Sequence, residues 1–301
     1  MNLIFSLNEQ YIPPLEVLLY SLFETNQQAT FTIYLLHHDI PFQKLTSIAR
    51  LIEAYSHHFS PVRCKDLLPD HAEWTISRYY SVEMYYWLMA PFLLPEGAER
   101  GLYLDPDIIC LNRLDSLYQG SFDGFLFKAA SHNYLTKWLK PFNNLRLQNE
   151  NSDGYYNAGV VLMDLKAIRQ VSSIQEIVTA IEENKNKLIL PDQDIFNLLF
   201  SDRIEEVDWR EYNLPPWVFD IMQRLFPDRY NEEWLLQEVK LIHFMGRNKP
   251  WKERNDYKYD LGKFYFEAER QLKSRFPSMS AFSSRKTNQK DRKKDGYDEA
   301  F

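Results

Sequence analysis

Cysteine is scarce in this sequence. The two residues, Cys64 and Cys110, do not form a pair with metal-ligand spacing, so neither a disulfide framework nor a thiolate metal site is expected, and a reducing compartment fits. A surplus of positive charge is also lacking. Lys plus Arg is 35 against 42 for Asp plus Glu, a formal net charge of -7, which argues against nucleic acid as a partner. No apolar run reaches membrane-spanning length, and the start, MNLIFSLNEQ, has neither the basic residues nor the long apolar stretch of a signal peptide. The expectation is a soluble, unexported, cytoplasmic chain. Finally, SLNEQYIPP is neither glycine-rich nor basic, which disfavours the phosphate-cradling loop that nucleotidyl transfer would use after a first strand.

What is present is apolar material in alternating short strand-like and longer helix-like patterns. The 301 residues are 45% hydrophobic and 15% aromatic, enough for a sizeable core. Residues 2–7, 31–37, 122–130, 157–165 and 238–244 read as strands, and 13–26, 42–55, 85–94, 174–188 and 192–200 as helices. Pro13 and Pro14 stand where a helix can start. The alternation predicts an α/β fold with a mostly parallel sheet flanked by helices. Residues 143–154 are polar enough to form a mobile lid, and 208–234 carry many aromatics, suited either to stacking on a sugar or to covering the core. After an amphipathic segment at 263–276 the chain ends in a polar tail with a basic first half. Such a tail is either solvated or a tether to an anionic membrane face or an acidic partner.

The stretch GLYLDPDIICL, residues 101–111, reads as two short strands meeting at Asp105-Pro106-Asp107. In a regular strand, side chains two residues apart are separated by roughly 6 to 7 Å, too far for one ion to bridge easily. Pro106 fixes its own φ and favours a bend, which brings the two carboxylates toward one point at a strand end. Converging carboxylates there suit a hard divalent cation of the kind that neutralises a diphosphate, Mg²⁺ or Mn²⁺. An isolated Asp-x-Asp is also a common surface turn. In LIHFMGRNKPW, residues 241–251, His243 is a candidate third ligand or else a core histidine, Gly246 permits close backbone approach to a phosphate, and Lys249 offers it a mobile charge.

Together with IFSLNEQYIPPLEVLLYSL, YYNAGVVLMDL and PDQDIFNLLF, these motifs resemble the retaining glycosyltransferases of family 8 over most of the chain. The resemblance implies a GT-A fold in a single nucleotide-sugar-binding domain, residues 1–255, with a helical and basic extension over 256–301. It implies Mn²⁺, with Mg²⁺ as the alternative, held by Asp105, Asp107 and His243 at a motif that includes Pro106. Leu7, Asn8 and Tyr11 would lie at the uridine end of the donor, Asn157 and Ala158 at the donor sugar, and Gly246 and Lys249 at the diphosphate. Asp192 and Gln193, with Asn157, match the residues beside the reacting carbon. The implied reaction moves a hexose from UDP-galactose or UDP-glucose, galactose preferred, to a hydroxyl of a glycan acceptor on protein, lipid or polymer. An amide is a poor nucleophile, so Gln193 favours front-side attack with retention over a covalent intermediate, its oxygen stabilising the oxocarbenium-like sugar.

Two positions depart from the family pattern. The family often has Arg at the third position of a Y-x-R-L motif, where YYWL places Trp87, and an acidic residue in the first loop, where Asn8 stands. A non-catalytic, glycosyltransferase-like subunit that binds a partner enzyme or a nucleotide is therefore the competing reading, with Trp87 its main support.

Overall fold

The computed structural model describes residues 1–68, 81–131 and 154–277. The expected lid at 143–154, Gly154 apart, and the basic tail from residue 278 lie outside them. The chain opens with β1 (Asn2–Ser6), α1 (Ile12–Thr25), β2 (Thr32–His37), α2 (Phe42–Ala54) and β3 (His58–Arg63). A 3-10 helix (Val82–Met89) runs into a short α3 (Ala90–Leu93), followed by β4 (Gly101–Leu104), β5 (Ile108–Cys110), α4 (Asp115–Gln119) and β6 (Phe127–Ser131). Then come β7 (Tyr156–Met163), α5 (Leu165–Val171), α6 (Ile174–Asn184), α7 (Pro191–Phe200) and β8 (Ile204–Val207). α8 (Trp209–Tyr212), α9 (Pro216–Leu225), α10 (Glu232–Glu238), β9 (Leu241–His243) and α11 (Gly262–Arg275) complete the order.

Seven strands form one mixed sheet in the order β3-β2-β1-β4-β7-β6-β8. β7 alone runs against its neighbours, pairing antiparallel with β4 and β6 while the other pairings are parallel. The α/β expectation with a mostly parallel sheet holds. Along β1, Leu3 and Phe5 enter the core on one side of the sheet and Ile4 the core on the other, because both faces are covered by helices. α1 packs by Leu15, Leu18, Leu19 and Leu22, and α11 lies across α1, adding Tyr265 and Leu272 to the same core.

The structure changes several expected elements. Residues 85–94 are mainly 3-10, turning to α only at Ala90. The strand expected at 122–130 begins at Phe127, because Asp123 (φ 47°) and Gly124 (φ 93°) make a left-handed turn that no strand accommodates. The strand expected at 238–244 shrinks to three residues and leaves the main sheet, pairing with β5 in a two-stranded ribbon. β3 and β8 were not foreseen. They are the two edges of the sheet, where Pro61 in HFSPVR and the adjacent acids of IEEV are tolerated, so neither carries a strong apolar signal.

Candidate active site

Parallel pairing of β1 with β4 and antiparallel pairing of β4 with β7 gather three segments at one edge of the sheet. These are the residues after β1, the residues after β4 and the beginning of β7. Leu7 directly follows β1, buried, its N–H donating to the Leu36 carbonyl at 3.3 Å. Asn8 caps the following 3-10 turn by accepting from the Gln10 N–H at 3.0 Å, and its amide reaches Ser81 Oγ at 3.3 Å. Tyr11 lies within the electrostatic reach of the acidic hinge. Burial raises its phenol above the usual range, with Lys249 opposing and Asp107 and Asp105 adding to the shift.

The Asp105-Pro106-Asp107 hinge is where the chain leaves the main sheet. The Asp105 N–H donates to the Gly159 carbonyl at 2.8 Å, extending the β4–β7 ladder by one step, and past buried Pro106 the chain enters β5. β5 then pairs with β9 in a register that sets Ile108 opposite His243. That register brings the ring to the hinge. His243 Nε2 lies 3.2 Å from Asp107 Oδ1 and 3.6 Å from Asp105 Oδ2, and ligand atoms of all three residues fall within 4.8 Å of one another. The His243 and Asp107 side chains are 3% and 9% exposed while that of Asp105 is 33% exposed, so the cluster opens on the Asp105 side.

The two carboxylates differ in character. Burial pushes Asp105 above the usual carboxylate range and the charge of Asp107 adds to that, with His243, Tyr103 and Lys249 opposing. Tyr103 Oη donates to Asp105 Oδ1 at 2.7 Å. Asp107 is buried too, but the Lys249 ammonium and His243 outweigh that cost and hold it well below the usual range. Lys249 ion-pairs with Asp107 and donates to the Phe244 carbonyl at 2.8 Å. It is buried, so this lysine stands at the rim of the cluster and not out in the loop. One imidazole and two carboxylates within a few ångströms, with a phenol and an ammonium supporting the acids, fit a divalent cation. Gly246 (φ 89°) is left-handed with open space around its Cα, so backbone conformation and not crowding favours glycine there.

α7 closes the other side. Asn197 clamps the first residue of β7, accepting from the Tyr156 N–H at 2.7 Å and donating to its carbonyl at 2.8 Å. One turn earlier, Gln193 Oε1 accepts from Asn157 Nδ2 at 2.9 Å and from the Ala158 N–H at 3.2 Å. The amide oxygen expected to face a sugar is thus turned onto β7, because two donors of the strand hold it. Asp192 Oδ2 accepts from the Trp87 indole N–H at 3.1 Å. Burial and the charge of Asp105 push Asp192 up to about 7, with the Trp87 bond opposing. Trp87 itself is fully buried and stacked on Tyr103 at 4.9 Å, so the departure from the family's Arg fills the core and supplies one neutral donor. In 208–234 the aromatics mostly pack inward: Phe219 stacks on Trp234, and Tyr230 meets Trp234 edge to face.

Two residues of the site were not singled out from the sequence. Gly159 lies directly beneath the His243 ring, where a Cβ would collide with it. Asn213 is fully buried and its Oδ1 meets His243 Nδ1 at 2.8 Å. Gly159 lies within YYNAGVVLMDL and Asn213 in no quoted motif, but neither is tied to His243 by its local sequence; the pairing of β4 with β7 and the path from α8 to α9 put them there.

A mixed sheet with an acidic hinge at the carboxyl end of β4 is the arrangement of the GT-A glycosyltransferases. The fold matches the galactosyltransferase LgtC, solved with donor and acceptor sugar analogues, with a TM-score of 0.75 at 18% identity, covering 93% of this chain and 100% of that one. Residues 2–255 match the model of glycosyl transferase family 8, and the chain belongs to that family. It is 26% identical over 265 residues to the lipopolysaccharide 1,2-glucosyltransferase of Escherichia coli K12, spanning 83% of this chain and 72% of that one. It is 23% identical over 187 residues to the lipopolysaccharide 1,3-galactosyltransferase of Salmonella typhimurium, spanning 61% and 52%. The chain is a glycosyltransferase, for which membership of the family implies a nucleotide-sugar donor and a glycan acceptor. Among the described residues, no helix is long and apolar enough to cross a membrane.

Proposed function

We propose that this protein moves a hexose from UDP-glucose or UDP-galactose to a hydroxyl of a glycan acceptor, with retention of configuration. The reading rests above all on the convergence of Asp105, Asp107 and His243 at the end of β4, with Lys249 in contact. These three residues would hold Mn²⁺ or Mg²⁺. Such a cation, when bound, neutralises charge on the departing diphosphate. Lys249 adds a positive charge at the same place without transferring a proton. Tyr103 holds Asp105 in one orientation, and burial of Asp107 and His243 keeps bulk water from that side of the cluster. Leu7, Asn8 and Tyr11 offer a rim for the nucleotide, and Gly246 a close backbone approach to its phosphates. Asn157, Ala158, Asp192 and Gln193 bound the space beside Asp105 for the sugar. Relatives named for glucosyl and for galactosyl transfer leave both donors in play, and their lipopolysaccharide products favour a lipid-linked saccharide as acceptor. Residues 1–255 would form the catalytic unit and 256–301 an appended helix and tail that can meet an anionic membrane face.

The test is incubation with Mn²⁺ and a panel of UDP-sugars, following UDP release with and without saccharide acceptors and with EDTA as control. Release confined to UDP-glucose or UDP-galactose, abolished by EDTA and restored by Mn²⁺, is expected. Turnover of GDP- or CMP-sugars alone, or activity indifferent to EDTA, refutes the reading. The coupling constant at the new anomeric centre reports the stereochemistry.

A further inference from the structure

Four side chains from four separate segments make a continuous line of hydrogen bonds that ends on the His243 ring. Gln193 comes from α7, Asn157 from the start of β7, Asn213 from the link between α8 and α9, and His243 from β9. Gln193 Oε1 accepts from the Ala158 N–H and from Asn157 Nδ2. Asn157 Oδ1 accepts from the Gly159 N–H at 2.9 Å and from Asn213 Nδ2 at 2.8 Å. Asn213 Oδ1 then meets His243 Nδ1.

The direction of every link follows from the backbone. The N–H groups of Ala158 and Gly159 can only donate, so Gln193 must present its oxygen to the first and Asn157 its oxygen to the second. Asn157 therefore offers Asn213 an acceptor, which requires the NH₂ of Asn213. The remaining atom of that amide, turned to His243, is an oxygen and can only accept. Nδ1 must carry a proton. In the neutral imidazole the lone pair is then on Nε2, the nitrogen that faces Asp105 and Asp107. Because Asn213 is fully buried and His243 is 2% exposed, bulk water cannot take over this task.

We propose that Asn213 is a positioning residue: it fixes the tautomer and ring orientation of His243 so that Nε2 faces a divalent cation, and it joins that end of the site to Gln193. The cation part rests on the reading of Asp105, Asp107 and His243 given above. A ligand histidine whose second nitrogen loses its partner typically binds metal 10- to 100-fold more weakly. Asn213→Leu should therefore raise the Mn²⁺ dissociation constant by about that factor. Asn213→Asp keeps an acceptor on Nδ1 but turns an oxygen toward Asn157 Oδ1. It should hold Mn²⁺ affinity within a few-fold of wild type while lowering kcat, because the hold on Asn157 and Gln193 is broken. A merely structural asparagine would not separate these two readouts.

Two measurements on the full chain test the proposal. The first is ¹⁵N NMR of histidine-labelled protein without metal, at about pH 8 where a free imidazole is neutral, with the His243 signals identified by their loss in His243→Gln. A protonated Nδ1 is expected. A proton on Nε2 with Nδ1 bare overturns the proposal whether or not any variant folds. The second is Mn²⁺ titration, followed by the spectrum of the free ion, of wild type and both variants, with circular dichroism as the check on folding. Folded Asn213→Leu that binds Mn²⁺ as wild type does also overturns it. If wild type binds no Mn²⁺ or Mg²⁺ while Nδ1 is protonated and Asn213→Leu changes that, the cation reading falls and the hold of Asn213 on the ring stands.

Discussion

Gly159→Ala adds a single methyl group at the point where three segments meet, and its outcome can be worked from the geometry. The Gly159 carbonyl accepts from the Asp105 N–H, so the residue is fixed directly opposite the hinge. A Cβ there falls 2.9 Å from His243 Nδ1 and 2.8 Å from Asp105 Oδ2, and closer still to His243 Cε1. Ordinary contacts between carbon atoms are about 3.5 to 4.0 Å, so ring or strand must retreat by more than about 1 Å. A metal site tolerates about 0.2 Å. The ring has little room, since it is buried and tied to Asn213. We expect overpacking to cost about 1–3 kcal/mol of stability. Mn²⁺ affinity should fall at least about 100-fold, as His243 is displaced as a ligand; at 1.36 kcal/mol per decade this is about 2.7 kcal/mol. The assay is Mn²⁺ titration with and without UDP, alongside urea unfolding. Gly97→Ala, whose Cβ meets nothing within 4 Å, is the control and should change neither. A folded Gly159→Ala protein with wild-type Mn²⁺ affinity would falsify the placement of His243 over Gly159 as a metal ligand.

Asp105→Asn and Asp107→Asn should each remove metal-dependent UDP release, with Asp107→Asn costing more stability because it also strips Lys249 of its buried partner; wild-type turnover in either variant sinks the metal site. Trp87→Phe keeps an aromatic ring on Tyr103 but deletes the indole N–H that holds the ionised form of Asp192. If turnover needs that carboxylate ionised, the acid limb of its pH profile, set by a group near about 7, should move to higher pH; an unmoved limb means Asp192 does not govern it. Glu16 is pushed up to about 7 by burial, with Ser47 partly opposing, from 4.5 for a free side chain. The folded state then holds a proton that the unfolded chain has lost, so stability falls as pH rises from about 4.5 to about 7, by up to about 3 kcal/mol. Glu16→Gln should remove this slope, and urea unfolding at pH 5 and pH 8 showing equal slopes in variant and wild type refutes the burial argument.

The parts of the molecule legible in the sequence are those whose physics is local. Strands buried on both faces announce themselves as apolar runs, which is why β1, β2, β4 and β7 stood out and the two edge strands did not. The acidic hinge was legible because a proline between two aspartates can do few things at a strand end. His243 was visible only as a histidine following an apolar run, and its partnership with the hinge needed the family pattern. What joins them is the β5–β9 register, with Ile108 opposite His243, and no single segment encodes a register between strands more than a hundred residues apart. The same holds for Gly159 and Asn213.

That division bears on how this site can vary. The hinge supplies charge, and its residues stand or fall with whether the site binds a cation at all. Other residues supply position: Gly159 makes room for the ring and Asn213 faces its far nitrogen, while Trp87 contributes a neutral donor to Asp192. Trp87 brings no charge to Asp192 and leaves the core closed, since the indole is fully enclosed against Tyr103 and Phe196. Burial and the charge of Asp105 hold Asp192 up at about 7, with the Trp87 hydrogen bond and backbone N–H groups opposing. Trp87 therefore weighs little in favour of a non-catalytic subunit. It leaves the hinge, His243 and Lys249 in contact and touches the electrostatics of Asp192, so on the function proposed above its consequence belongs to the sugar's side of the site and to pH, and not to the cluster proposed to stabilise the diphosphate.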